Sequence, residues 1–160
     1  LPILDRIRDY GWVARFHVDS AAITELRDFL DCVKDPAVID HLGRPDYSQS
    51  VDQPATRFAL DLLRSHPNWW ILLSFGQASG KEPWDPSVPF GEAFYEAAPD
   101  RALWATDWPH IGYITACPPV PPPSDAAGLA LLYRYLPDTA ARRKVLVDNP
   151  ARLFGFTGPA

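Results

Sequence analysis

Methionine is absent from this sequence, cysteine is scarce, and no apolar run is long. A membrane-spanning helix is therefore excluded, because crossing the hydrocarbon core takes about 20 apolar residues in succession. No positively charged opening leads into an apolar signal segment. Secretion thus has no support, and the cytoplasm is the expected compartment. The two cysteines, Cys32 and Cys117, lack metal-ligand spacing. Each reads as a buried or merely tolerated thiol in a reducing environment. A basic stripe is also lacking: 15 Lys and Arg face 20 Asp and Glu, for a net charge of −5. That argues against nucleic acid as the main partner, since nothing is available to neutralise phosphates. With no methionine and a start at Leu1, the chain is expected to be a fragment, a processed product or a partial chain.

What is present is an ordinary globular composition, 47% hydrophobic and 22% charged over 160 residues. This predicts one domain, residues 1–160, able to bury a proper core. Proline is plentiful at 18, with a run at Pro118-Pro119-Val120-Pro121-Pro122-Pro123.

Periodicity alternates helix with strand. Ile3, Leu4, Ile7 and Tyr10 recur at helical spacing, and Gly11 can stop that helix. Trp12 to Val18 reads as a strand, with Trp12, Ala14 and Phe16 on one face and Val13, Arg15 and His17 on the other. Ser20 can cap a helix carrying Ile23, Leu26, Leu30 and Val33. Ala37 to His41 is a second strand, Asp52 to Arg64 a helix, and Trp69 to Ser74 a third strand, apolar nearly throughout. A short helix around Phe90, Phe94 and Ala97 precedes a fourth strand, Ala102 to Asp107. Ser124 or Asp125 caps a helix with Leu129, Leu132 and Leu136, Asp138 caps another up to Val147, and Asn149-Pro150 opens a last turn closed by Gly155. Strict alternation predicts parallel strands joined by right-handed crossovers, an α/β sheet or barrel.

Three predicted strands end in groups able to bind a metal or move protons: His17, His41 and Asp107. Sites on parallel α/β sheets gather at the carboxyl ends of the strands. Each residue also has a structural reading. Asp107 can cap a helix or pair with a base in a rim loop, and His41 or His17 can be a core imidazole satisfied by a backbone carbonyl. Arg44 can form a salt bridge with Asp40 or Asp46. His110 can cap its loop, and His66, before Pro67, reads as a surface helix terminus. Trp104 and Trp108 flank the acid and can wall a pocket.

The segments Val38-Ile39-Asp40-His41-Leu42-Gly43-Arg44-Pro45-Asp46, Leu103-Trp104-Ala105-Thr106-Asp107-Trp108-Pro109-His110 and Asp148-Asn149-Pro150-Ala151-Arg152-Leu153-Phe154-Gly155-Phe156 occur in that order. Together they resemble the amidohydrolase-related (amidohydrolase 2) family of the amidohydrolase superfamily, most closely the 2-pyrone-4,6-dicarboxylate lactonase-like hydrolases. The resemblance implies a TIM-like (β/α)8 barrel, of which this chain is similar to the carboxyl-terminal half, strands five to eight. His17 then matches the strand-five position, His41 the strand-six histidine and Asp107 the strand-eight aspartate. The strand-one His-x-His pair has no counterpart here.

The implied function is hydrolysis of a small lactone, ester or related carboxylate by water attack. Asp107 would serve as general base and acid, and His41 would polarise the carbonyl. Arg44, His17 and His110 are the expected substrate contacts. The cofactor is left open between none and a divalent metal, zinc or manganese; a metal would take His17, His41 and Asp107. The alternatives are a metal-dependent decarboxylase of the same family, or a non-catalytic half-barrel that self-associates. The expected partners are a small-molecule substrate and either the missing amino-terminal half or further copies of the chain. One departure stands out: where lactonase-like members carry a Ser-Gly segment and then an arginine, this chain reads Ser74-Phe75-Gly76-Gln77, and Gln77 is uncharged. A dicarboxylate substrate is correspondingly disfavoured.

Overall fold

The structure is a computed structural model in which residues 2–74, 82–118 and 121–156 are described. Gln77 and the Pro119-Val120 step of the proline run lie outside the described residues. Four parallel strands form one sheet in chain order: β1 (Ala14–Phe16), β2 (Ala37–Ile39), β3 (Trp69–Leu73) and β4 (Ala102–Trp104). Helices α1 (Pro2–Arg8), α2 (Ser20–Glu25), α3 (Arg27–Asp31), α4 (Pro54–Ser65), α5 (Val88–Ala97), α6 (Ile111–Ile114), α7 (Asp125–Tyr135), α8 (Thr139–Arg143) and α9 (Asn149–Phe154) surround it. Every strand order expected from the alternation is present, and the architecture is the α/β half-barrel type predicted.

Side chains alternate across the sheet, so each strand feeds two faces. Ala37, Ile39, Trp69, Ile71, Leu73 and Ala102 join the main core beneath the helices. Val38, Trp70, Leu72 and Leu103 form a smaller cluster on the opposite face. A continuous apolar run such as Trp69–Leu73 is what a strand covered on both faces needs. Complete burial of a residue like Trp69 or Ile71 contributes about 1.5 to 3 kcal/mol. The opposite face opens into a cavity of about 400 Å³, walled by Val13, Val38, Leu72, Leu103 and Phe154.

Several boundaries differ from the sequence reading. The strands are shorter: β2 stops at Ile39 and β4 at Trp104, so His41 and Asp107 lie on the loops just beyond the strands. The predicted second helix is two, broken at Leu26, which leaves the helical range and is 37% exposed. Asp19 occupies the position before α2, and no side chain caps that helix. Ile3 is exposed although it shares the helical spacing of Leu4, because α1 meets the core with a narrow stripe, and Tyr10 is exposed in the turn beyond the end of α1 at Arg8. Trp12 is exposed too, ahead of the strand it was expected to begin. The last helices run into one another through a π-helical turn, Lys144–Asp148. The caps at Ser124 and Asp138 form as expected, accepting from the amides of Ala127 and Ala141.

Candidate active site

The site begins where the strands end. Residues His41, Leu42 and Arg44 have φ of 47°, 57° and 48°, and Gly43 joins them at 70°. A left-handed backbone costs an ordinary residue about 1 to 2 kcal/mol. A run of such residues persists where the surroundings fix it, and such strain gathers at functional sites. Here it turns the chain tightly enough for Gly43 to donate to the Asp40 carbonyl at 2.8 Å and Arg44 to the His41 carbonyl at 2.8 Å. Asp107, with φ of 62°, makes the corresponding turn beyond β4, closed by the His110 amide at 2.7 Å.

These turns bring His41 and Asp107 together. His41 Nε2 lies 3.2 Å from Asp107 Oδ1, with both side chains mostly buried. The other ring nitrogen, Nδ1, lies 2.8 Å from Ser74 Oγ, just past β3. Three adjacent strands therefore hold one imidazole.

Asp40 organises the other side. It is 2% exposed, and its Oδ1 accepts from Arg15 Nη2 at 2.8 Å. Its Oδ2 lies 3.0 Å from His17 Nδ1 and 3.6 Å from His41 Nε2. A buried carboxylate needs such partners to offset its lost hydration. Arg44 Nη1 sits 2.6 Å from His17 Nε2. A guanidinium can only donate, so His17 accepts at Nε2 and offers its Nδ1–H to Asp40. The salt-bridge partner of Arg44 is Asp19, at 3.2 Å; the sequence had suggested Asp40 or Asp46.

Four of the five expected site residues, His17, His41, Arg44 and Asp107, thus form one network. His110 differs. It is buried at the start of α6, bonded to Asp107 through its amide, with its ring edge-on to Tyr113. His66, read as a surface terminus, is half-buried, and its carbonyl accepts from Arg101. Trp104 is half-buried against Tyr135, and Trp108 is exposed.

Asp40 and Ser74 carry more of the site than the sequence reading gave them. Strand pairing would have found Asp40. Arg15 is level with Val38 and Phe16 with Ile39, so continuing that register sets His17 level with Asp40 on one face. Ser74 had entered the sequence reading only as the start of the segment compared with the Ser-Gly segment of lactonase-like members.

His17, Asp40 and His41 place their ligand atoms within 4.8 Å of one another. Two imidazoles and a carboxylate are a donor set that suits zinc or manganese. The expected set had Asp107 where the compact trio has Asp40; Asp107 adjoins that trio through His41.

A parallel half-barrel with an acid–imidazole pair just beyond its strands has polar groups where α/β barrels carry their sites. The family model described as Amidohydrolase matches residues 1–156, and the chain belongs to that family. It is 40% identical over 149 residues to a 4-sulfomuconolactone hydrolase of Rhizobium radiobacter, covering 92% of this chain and 49% of that protein. It is 30% identical over 164 residues to a 2-pyrone-4,6-dicarboxylate hydrolase of Comamonas testosteroni, covering 96% and 52%. An apo crystal structure from Agrobacterium tumefaciens superposes with a TM-score of 0.82 at 27% identity, over 97% of this chain and 54% of that one. The chain spans about half the length of the curated relatives it matches.

Proposed function

We propose that this chain carries the acid–base half of a hydrolase acting on a small lactone. The observation that carries the reading is the 3.2 Å contact between His41 Nε2, just beyond β2, and Asp107 Oδ1, just beyond β4. One of the relatives named above is a lactone hydrolase by name and the other a hydrolase of a 2-pyrone, itself a cyclic ester, which supports the same substrate class.

Asp107 accepts a proton from water as the water oxygen attacks the lactone carbonyl carbon. The Nε2–H of His41, shared with Asp107 in the free site, is the donor available to the carbonyl oxygen as negative charge builds there. When the tetrahedral centre collapses, the ring C–O bond breaks and Asp107 returns its proton to the leaving oxygen. Water has then been added across the ester bond, leaving a hydroxy acid. Arg44 lies beside His17 and can orient an acidic substituent of the substrate through its guanidinium. His17 supports Arg44 and Asp40, and His110 shapes the Asp107 turn. A divalent ion, when bound, would be held by His17, Asp40 and His41 through nitrogens bare of hydrogen, and would supply Lewis acidity at the carbonyl in place of the His41 N–H.

A cytoplasmic setting accords with two exposed free cysteines. No helix of the described residues is long and apolar enough to cross a membrane.

The test is acid release by the complete protein from a panel containing a sulfonated muconolactone, a pyrone dicarboxylate and an uncharged lactone. Hydrolysis of a lactone, slowed about 10²- to 10³-fold by His41→Gln, is the expected result. No turnover of any lactone by a folded complete protein would refute the assignment.

A further inference from the structure

We infer that Ser74 is a positioning residue: its hydroxyl donates to His41 Nδ1 and so holds the ring as the Nε2–H tautomer aimed at Asp107. This rests on the reading of His41 and Asp107 as the reacting pair.

Nε2 lies 3.2 Å from Asp107 Oδ1 and 3.6 Å from Asp40 Oδ2. Two carboxylates offer acceptors only, so the nitrogen between them is the one that carries hydrogen. In a neutral imidazole Nδ1 is then an acceptor, and it requires a donor. Ser74 Oγ, 2.8 Å away, is placed to be that donor. A serine hydroxyl can rotate to donate, whereas a carbonyl at the same position would select the opposite tautomer.

Ser74 is itself fixed. It follows β3, is fully buried, and its carbonyl oxygen lies 3.1 Å from the Tyr135 hydroxyl of α7. That hydroxyl also lies 2.8 Å from Ser87 Oγ, which donates to the Trp84 carbonyl at 2.8 Å. Burial drives the Tyr135 phenol strongly upward, so it remains a donor. A line of contacts thus runs from α7 through the end of β3 to the imidazole.

A serine, a histidine and an aspartate in contact are also the pattern of a nucleophilic serine. Ser74 is 0% exposed, which keeps its oxygen from substrate. Serine and aspartate flank opposite ring nitrogens in either arrangement, so this burial is what decides between them. The geometry suits orientation, not attack.

The test is ¹⁵N-histidine NMR on the complete protein, with the His41 signal assigned by its loss in His41→Gln. In neutral His41, hydrogen on Nε2 and a bare, hydrogen-bonded Nδ1 are expected. In Ser74→Ala the two nitrogens should move toward averaged values, and kcat should fall about 10- to 100-fold with KM nearly constant. Ser74→Thr, which keeps a hydroxyl, should restore both the NMR signature and kcat. Hydrogen on Nδ1 of neutral His41 in the unaltered protein overturns the proposal whatever the variants do. So does a folded Ser74→Ala protein with unchanged kcat. Failure of the acid–base reading itself would look different: full turnover in Asp107→Asn with the His41 tautomer as described.

Discussion

At the scale of single residues, the site is a problem of buried charge. Asp40 is enclosed, and its two oxygens are engaged by Arg15 and His17. Arg15 is more than half exposed at 56%, so the Coulomb attraction is screened and the larger effect is satisfaction of a buried acceptor. Arg15→Met should therefore destabilise the protein by about 1 to 3 kcal/mol in denaturant unfolding. An unchanged midpoint would mean that Asp40 finds another donor. Asp46 shows the opposite case, an exposed acid with several partners. The Ser48 hydroxyl first, then the Gln49 side chain and the Ser48 amide, hold its carboxyl below the ordinary value of 3.8. A carboxylate lowered on folding contributes stability above its unfolded value, and that contribution is lost as pH falls through the folded one. Asp46→Ala should accordingly be less stable than the parent at neutral pH, with the two converging on acidification; a gap that persists in acid would contradict this. The sequence pointed directly to Asp107 and His41, since acids and imidazoles at the ends of apolar runs are informative. It did not show that Asp40 joins His41 to His17. A one-residue reading cannot see the register that sets Asp40 level with His17.

At the scale of elements, helix contacts transmit position to the site. Gly91 of α5 packs directly on the Tyr135 ring of α7; a Cβ there would meet the ring at 2.5 Å. Gly91→Ala therefore forces either helix separation or a shift of Tyr135, with a loss of about 1 to 3 kcal/mol expected for overpacking. Because Tyr135 holds the end of β3, activity should fall along with stability. A variant as stable as the parent would show that the two helices can part freely. Four strands and most helices were legible from hydrophobic spacing, and the caps at Ser124 and Asp138 from their side chains. The strand ends were not. Apolar alternation continues into residues whose backbone has already turned, as at His41 and Asp107. The break at Leu26 was hidden for a similar reason: Leu26 keeps the helical spacing while leaving the helical backbone.

At the scale of the whole molecule, the sheet of the described residues is open at both edges. Among the described residues β1 and β4 each have one neighbour, and Trp12, Phe154 and Phe156 are exposed. Strand edges without a neighbour tend to recruit other chains. We expect residues 1–160 alone to self-associate in sedimentation and to become a discrete species when joined to a complementary four-strand unit. A stable monomer of residues 1–160 would refute that expectation. The central claim remains chemical: a carboxylate beyond β4 and an imidazole beyond β2 act on one carbonyl. Steady-state kinetics of Asp107→Asn in the complete protein test it most directly. With a lactone substrate, kcat should fall about 10²- to 10⁴-fold while KM changes little. A folded Asp107→Asn enzyme with parental kcat would contradict the account.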